Sequence, residues 1–261
     1  MSNYQQNKTM VICIIAVIAI GSITAGALAF FGSTNFGWGP FSQYGFNWNL
    51  NDMTLYQFED DTSTIAESTT LRVNLSAGIV NIKFVESSDL LYRFDMLVPN
   101  NTIEQYGAPE IGYTANTISL EYAAAAVNIT LGSASNYTMD IDLEAGAVDL
   151  TIGQYSHIGD IDADVGAGSS ILTITDESSI VGDVEINLSV EAGSVEITVD
   201  LPSNVGGDFE ASTSFGGPDV TTSTWTRITD NHYQTSDYDT AVNTVSILAS
   251  AGAGSVTATL I

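Results

Sequence analysis

The stretch "LEAGAVDLTI", residues 143–152, decides how this chain folds. In an extended chain, successive side chains point to opposite faces. Leu143 and Ala145 therefore share one side, as do Val148, Leu150 and Ile152 among themselves. The step from Ala145 to Val148 is three residues and breaks the period of two. Both sets reach one interior only if the strand turns or bulges at Gly146-Ala147, where glycine accepts positive φ at little cost.

The phrase recurs. In "VEAGSVEITV", residues 190–199, Val190 and Ala192 precede Gly193, and Val195, Ile197 and Val199 follow it. Leu75 and Ala77 stand before Gly78, ahead of Val80, Ile82 and Phe84. Leu120, Tyr122 and Ala124 stand before Ala125, ahead of Val127, Ile129 and Leu131. Ala251 and Ala253 lead to Gly254 and then to Val256, Ala258 and Leu260. Two copies are degraded: Ser170 takes the valine slot after Gly168, and Thr213 and Phe215 precede Gly216, with Pro218 and Val220 after it. Corners are expected at Gly78, Ala125, Gly146, Gly168, Gly193, Gly216 and Gly254, with middle intervals of 21, 22, 25 and 23 residues.

A fixed short period marks a solenoid. Val, Ile and Thr dominate, and helix signals nearly vanish after residue 32, so the turns are strands. The expected fold is an all-β, single-stranded β-solenoid, parallel β-helix-like, with turns of 21–25 residues. Each turn is expected to stack on the one before it at the ~4.8 Å strand spacing. The 47 residues from 78 to 125 leave room for a hidden or irregular turn around "LLYRFDMLV". The 38 from 216 to 254 equal one turn plus a polar insertion near 222–240.

Alternating apolar repeats broken by A-G-x-V resemble the toast-rack-like "putative adhesin" family of β-solenoid surface domains, over about residues 70–261. The resemblance implies a surface or membrane-linked protein with no established catalytic site. It carries no functional residues over. The two long intervals depart from an even repeat.

Residues 10–31 carry no charge and are long enough to cross a ~30 Å hydrocarbon layer as one transmembrane helix. With Lys8 as the only charge before it, 1–9 reads as a short cytoplasmic tail. The competing reading is a signal peptide cleaved after Ala29, in Ala27-Leu28-Ala29. The first reading gives a single-pass cell-membrane protein with an extracellular domain, the second a secreted one. Residues 32–68 form a Gly/aromatic linker, in which Trp38, Phe41, Tyr44, Phe46 and Trp48 suit either a headgroup-level belt or a cap on the solenoid at 69–261.

Of 261 residues, 31 are acidic and 5 basic, which removes nucleic acid as a partner and favours cations or basic surfaces. The one cysteine, Cys13, builds neither a disulfide framework nor a thiolate site. His157 and His232 are far apart, and no nucleotide-binding, nucleophile-elbow or zinc-protease motif occurs. The chain reads as non-enzymatic and without a cofactor, Ca²⁺ excepted.

Five residues after each corner stand Lys83, Thr130, Thr151, Thr173, Thr198, Thr221 and Thr259, an outward ladder of packing contacts or an ice- or carbohydrate-binding face. The position two residues earlier is irregular, which argues against a binding array. Counting back from the corners sets Asp140 beside Asp162 and Asp142 beside Asp164 on adjacent turns. Like charges so close repel, and Ca²⁺ would relieve them; a solvated acidic face is the alternative. Sequons place candidate glycans at Asn74, Asn100, Asn128, Asn136 and Asn187. "GSVTATLI", within 252–261, finishes the last repeat without a polar cap, so a free strand edge there is expected to pair with another copy, unless the 222–240 insertion covers it. The function expected is a membrane-anchored, cell-surface structural or adhesive module, with a Ca²⁺- or glycan-binding surface module as the alternative.

Overall fold

A computed structural model of the protein describes residues 52–61 and 66–261. The apolar run at 10–31, the cleavage motif, Cys13 and the aromatics of 36–48 lie outside them. No helix among the described residues is long and apolar enough to cross a membrane.

The described chain is all-β but for one short helix. In order come β1 (Met53–Asp61), β2 (Ser68–Phe84), β3 (Leu90–Pro99), α1 (Asn100–Tyr106), β4 (Gly112–Thr114), β5 (Thr117–Leu131) and β6 (Asn136–Ile152). There follow β7 (Ile158–Ile174), β8 (Asp183–Val199), β9 (Val205–Thr213), β10 (Asp219–Thr222), β11 (Thr226–Arg227), β12 (His232–Gln234) and β13 (Asn243–Leu260). They form one open sheet, ordered β1-β3-β5-β2-β6-β7-β8-β13-β9-β12-β11, with β10 on β13 and β4 on β5.

From β5 through β13 the pairing is parallel and in register across every corner. Gly78 pairs with both Ala125 and Gly146, Gly146 with Gly168, Gly168 with Gly193, and Gly193 with Gly254. Residues on both sides of each corner are buried: Leu143 and Val148, Val190 and Val195, Leu75 and Val80 are at most 1% exposed. The phase break thus serves one interior, as the sequence requires. Gly168 shows why the corner is glycine. Its φ is +145°, and a Cβ there would lie 1.7 Å from the carbonyl oxygen of Gly146. The same approach recurs from Gly146 to Gly78 and from Gly254 to Gly193, always toward one end of the stack. Ala125 occupies the corner at that end, where no further parallel layer offers a carbonyl.

Stacking in chain order holds for β6, β7 and β8 and fails at both ends. β2 lies between β5 and β6, and β13 lies between β8 and β9. A layer presents the same apolar columns to either edge, so the inward pattern does not choose the edge a returning strand joins. The chain crosses those layers in short links, 132–135 from β5 to β6 past β2 and 200–204 from β8 to β9 past β13. The long connections, 85–116 and 223–242, each return instead to a strand that pairs with the one just left. The corner at Gly216 keeps its count, since Thr213 pairs with Ala251 and Asp219 with Thr257. There, however, the backbone leaves the ladder, φ is +80° and Phe215 is 75% exposed.

Two further expectations are corrected. "LLYRFDMLV" is no irregular turn but β3, antiparallel to β5 on one edge and to β1 on the other. The strand containing 252–261 is not an open edge: β13 is paired to β8 on one side and, on the other, to β9 as far as Ala251 and to β10 from Thr257 onward. The 222–240 insertion does return to the sheet, laying β12 against β9. Trp225, 5% exposed, lies over Gly207 and donates its indole N–H to the Ile261 carbonyl at 3.2 Å. The helix α1 went unforeseen; it starts after Pro99 and ends at Gly107, whose φ of +85° a side chain would resist.

Candidate functional site

The outer surface carries three columns of polar residues, each set by the register. The first is acidic. Asp140 pairs with Asp162 and Asp142 with Asp164, on β6 and β7. The column continues to Arg72 and Asn74 on β2, and to Asn187 and Ser189 on β8. Arg72 Nε lies 3.4 Å from an Asp140 oxygen, and Asn74 donates to Asp142 at 3.3 Å. Partial burial, then the charges of Asp164, Glu144 and Asp140, raise the Asp142 carboxyl above its ordinary range. Burial, then Asp164, Asp140 and Glu185, raise Asp162 likewise. All four carboxylates are exposed. Among the described residues, no three acidic, His or Cys side chains converge as a metal site would need.

The second column is threonine. Thr151, Thr173, Thr198, Thr259 and Thr221 face one another in unbroken register. Thr130 pairs with Lys83 at the other end and is buried, with Arg93 of β3 set beside it.

The third column escaped sequence reasoning. Gln57, Asp95, Asn128, Asn81 and Asp149 follow one another across β1, β3, β5, β2 and β6. Gln57 donates to Asp95 at 2.7 Å, and Asn81 donates to Asn128 at 2.8 Å. Asp95 is 4% exposed and Asp149 8%. Burial, and after it the charge of Glu196, pushes the Asp149 carboxyl up to about 6. The shared asparagine at 81 and 128 was the available signal. Asp95 had none, because β3 does not belong to the repeat.

The sequon asparagines divide by exposure. Asn74, Asn100 and Asn136 are exposed, although Asn74 donates to Asp142 and Asn100 accepts from Thr54. Asn128 and Asn187 are half-buried, the latter donating to Glu185 at 3.1 Å. His157 and His232 stay apart. His232 pairs with Asp208 at 2.8 Å, and Gln234 donates to the same oxygen. A shallow concavity of about 330 Å³ lies across β8, β13 and β9, lined by Ser189, Glu191, Ser212, Thr213 and Ser250.

No family model matches the chain, and no curated protein matches it significantly. Solved structures do. A "putative cell adhesion protein" from Clostridium sporogenes ATCC 15579 shares 18% identity over 80% of this chain and all of its own, with a TM-score of 0.63. The two share a fold. A "putative adhesin" from Bacteroides fragilis NCTC 9343 is 12% identical over 79% of this chain and 96% of its own, at a TM-score of 0.30. One from Parabacteroides merdae ATCC 43184 is 10% identical over 80% and 96%, at 0.26.

Proposed function

We propose that the chain is a non-catalytic, membrane-anchored surface module whose ectodomain is a β-solenoid used for structure or adhesion. The observation that carries this reading is the unbroken parallel register. Parallel neighbours ordinarily need a crossover of a dozen or more residues. The link from β6 to β7, residues 153–157, spans at most ~20 Å, whereas a straight 17-residue strand would be roughly 55 Å long. A strand that doubles back at its glycine corner reconciles the two lengths and makes each strand one turn of a coil. Such a coil is stiff and offers repeated outer columns in place of a pocket, which suits contacts spread along its length. The name of the clostridial structure supports adhesion, and the apolar run at 10–31 supports attachment with the solenoid outside. Asn74, Asn100 and Asn136 are then the accessible positions for glycan.

Display of the full chain on non-adherent cells tests the reading. Such cells should clump or bind a second cell type, and protease added outside should abolish this; cells that behave like undecorated ones refute the adhesive role.

A second reading follows from the acidic column. Ca²⁺ bound along Asp140, Asp142, Asp162 and Asp164 would relieve the mutual repulsion that, after partial burial, raises Asp142 and Asp162. Melting in calcium against magnesium at equal ionic strength decides it. A higher midpoint in calcium alone supports the ion, and equal midpoints leave only screening.

A further inference from the structure

The corners divide each long strand into a leading and a trailing half, and the two halves end differently. Leading halves finish in short pieces: the three-residue β4 on β5 at one end, and the β12–β11 hairpin on β9 at the other. Trailing halves run β1-β3-β5-β2-β6-β7-β8-β13-β10. At both ends of that series a strand edge has no partner among the described residues. β1 leaves one side of nine residues open, and β10 one side of four. Open edges of this kind recruit strands.

The register shows what fits. Following partners from β1 through β3 to β5, Gln57 shares the column of Asn128, Phe58 that of Ile129 and Glu59 that of Thr130. By the same tracing, Asp219, Val220 and Thr221 of β10 lie in those three columns. β1 also runs in the direction of the parallel strands, because two antiparallel pairings separate it from β5.

The geometry points to head-to-tail pairing between copies of this chain, β1 of one copy continuing the sheet beside β10 of the next. Gln57 then meets Asp219, an amide donor against a carboxylate, and Glu59 meets Thr221. Phe58 meets Val220, and both already pack against the core in part. No acid opposes an acid in these pairs, although the chain carries a formal charge of −26. The ends are stepped in opposite senses: trailing halves project two strands past β5 and none past the β9–β10 layer, and leading halves one and two, so the two-residue β11 has to give way for β1 to reach β10. This deepens the adhesive reading by naming a second copy as partner, and it replaces 252–261 as the self-associating edge.

Cross-linking of the full chain in mild detergent, with Cys13→Ser as background, tests it. Gln57→Cys with Asp219→Cys in one chain should give a ladder of oligomers under gentle oxidation, and each single variant should stay largely monomeric. Thr221→Glu, which sets an acid opposite Glu59, should weaken association roughly tenfold or more, and added salt should strengthen it in the unaltered chain. Single variants that dimerise as readily as the double variant cross-links would mean a two-fold contact and overturn the pairing. A folded double variant that cross-links to nothing also overturns it and leaves β1 to a foreign strand. Cell display reads adhesion separately: clumping by Thr221→Glu cells would retain adhesion without end-to-end pairing.

Discussion

Layers β6, β7 and β8 and the layers at the two ends have the same inner columns but opposite histories. In the middle, five to eight residues join one strand to the next, and sequence neighbours are stack neighbours. At the ends, links just as short, 132–135 and 200–204, step over a layer, and β2 and β13 fill the places stepped over, each tied to a paired neighbour by a long connection, 85–116 or 223–242. The comparison teaches that a repeat period reports the shape of a layer, whereas neither the period nor the length of a link reports the layer's place in the stack.

Corner substitutions should separate the two regions most sharply. Gly168→Ala puts a methyl group on the Gly146 carbonyl at a φ that alanine resists, and is expected to cost about 4 kcal/mol or more. Ala125→Gly, at the end of the stack, should cost only about 1 kcal/mol through chain entropy. Urea melts of both variants check this; equal losses would mean that the corners do not stack in one direction.

Asp149→Asn should have the next largest effect, this time a gain. The wild-type carboxyl has its folded pKa raised to about 6, so its contribution to stability is fully present below the ordinary carboxylate pKa and lost as pH rises through about 6. Near neutral pH the amide should stabilise by about 2 kcal/mol, with the difference shrinking toward pH 4. A pH-independent difference would show that the charge is not the cause.

Ser170→Val comes third. Ser170 is fully buried between Val148 and Val195, and its hydroxyl has no hydrogen-bond partner. Restoring the valine should add about 1 kcal/mol and bring β7 into line with its neighbours. Asp162→Asn should matter least, a gain of a few tenths of a kcal/mol at neutral pH that fades in high salt, because its raised carboxyl is largely solvated. A gain unchanged by salt would exclude charge repulsion.

The same contrast explains what could be read in advance. Gly146, Gly168 and Gly193 were legible because a three-residue step between buried sets leaves the backbone one solution. The adjacency of Asp140 to Asp162 and of Asp142 to Asp164 followed from counting, since both lie where layers keep chain order. The place of β13 was not legible: Val256, Ala258 and Leu260 suit any layer, and only long-range docking chose the gap beside β8. β3 was missed because Leu91, Phe94 and Met96 carry no corner, and the burial of Asp95 followed from that omission. Asp149 pairs with Asn81 in the register, but its burial depends on surroundings that a strand period does not encode.

The enclosed position of β13 also bears on how the molecule is made. As the polypeptide emerges, β8 and β9 are complete some thirty residues before the segment that must bridge them, and no ladder joins them directly. A nascent chain halted in the 223–242 connection would hold two unsatisfied ladders facing a slot one strand wide. Maturation therefore waits on a late insertion, and agents that capture extended peptides would find their target in that interval and lose it once the wedge is seated.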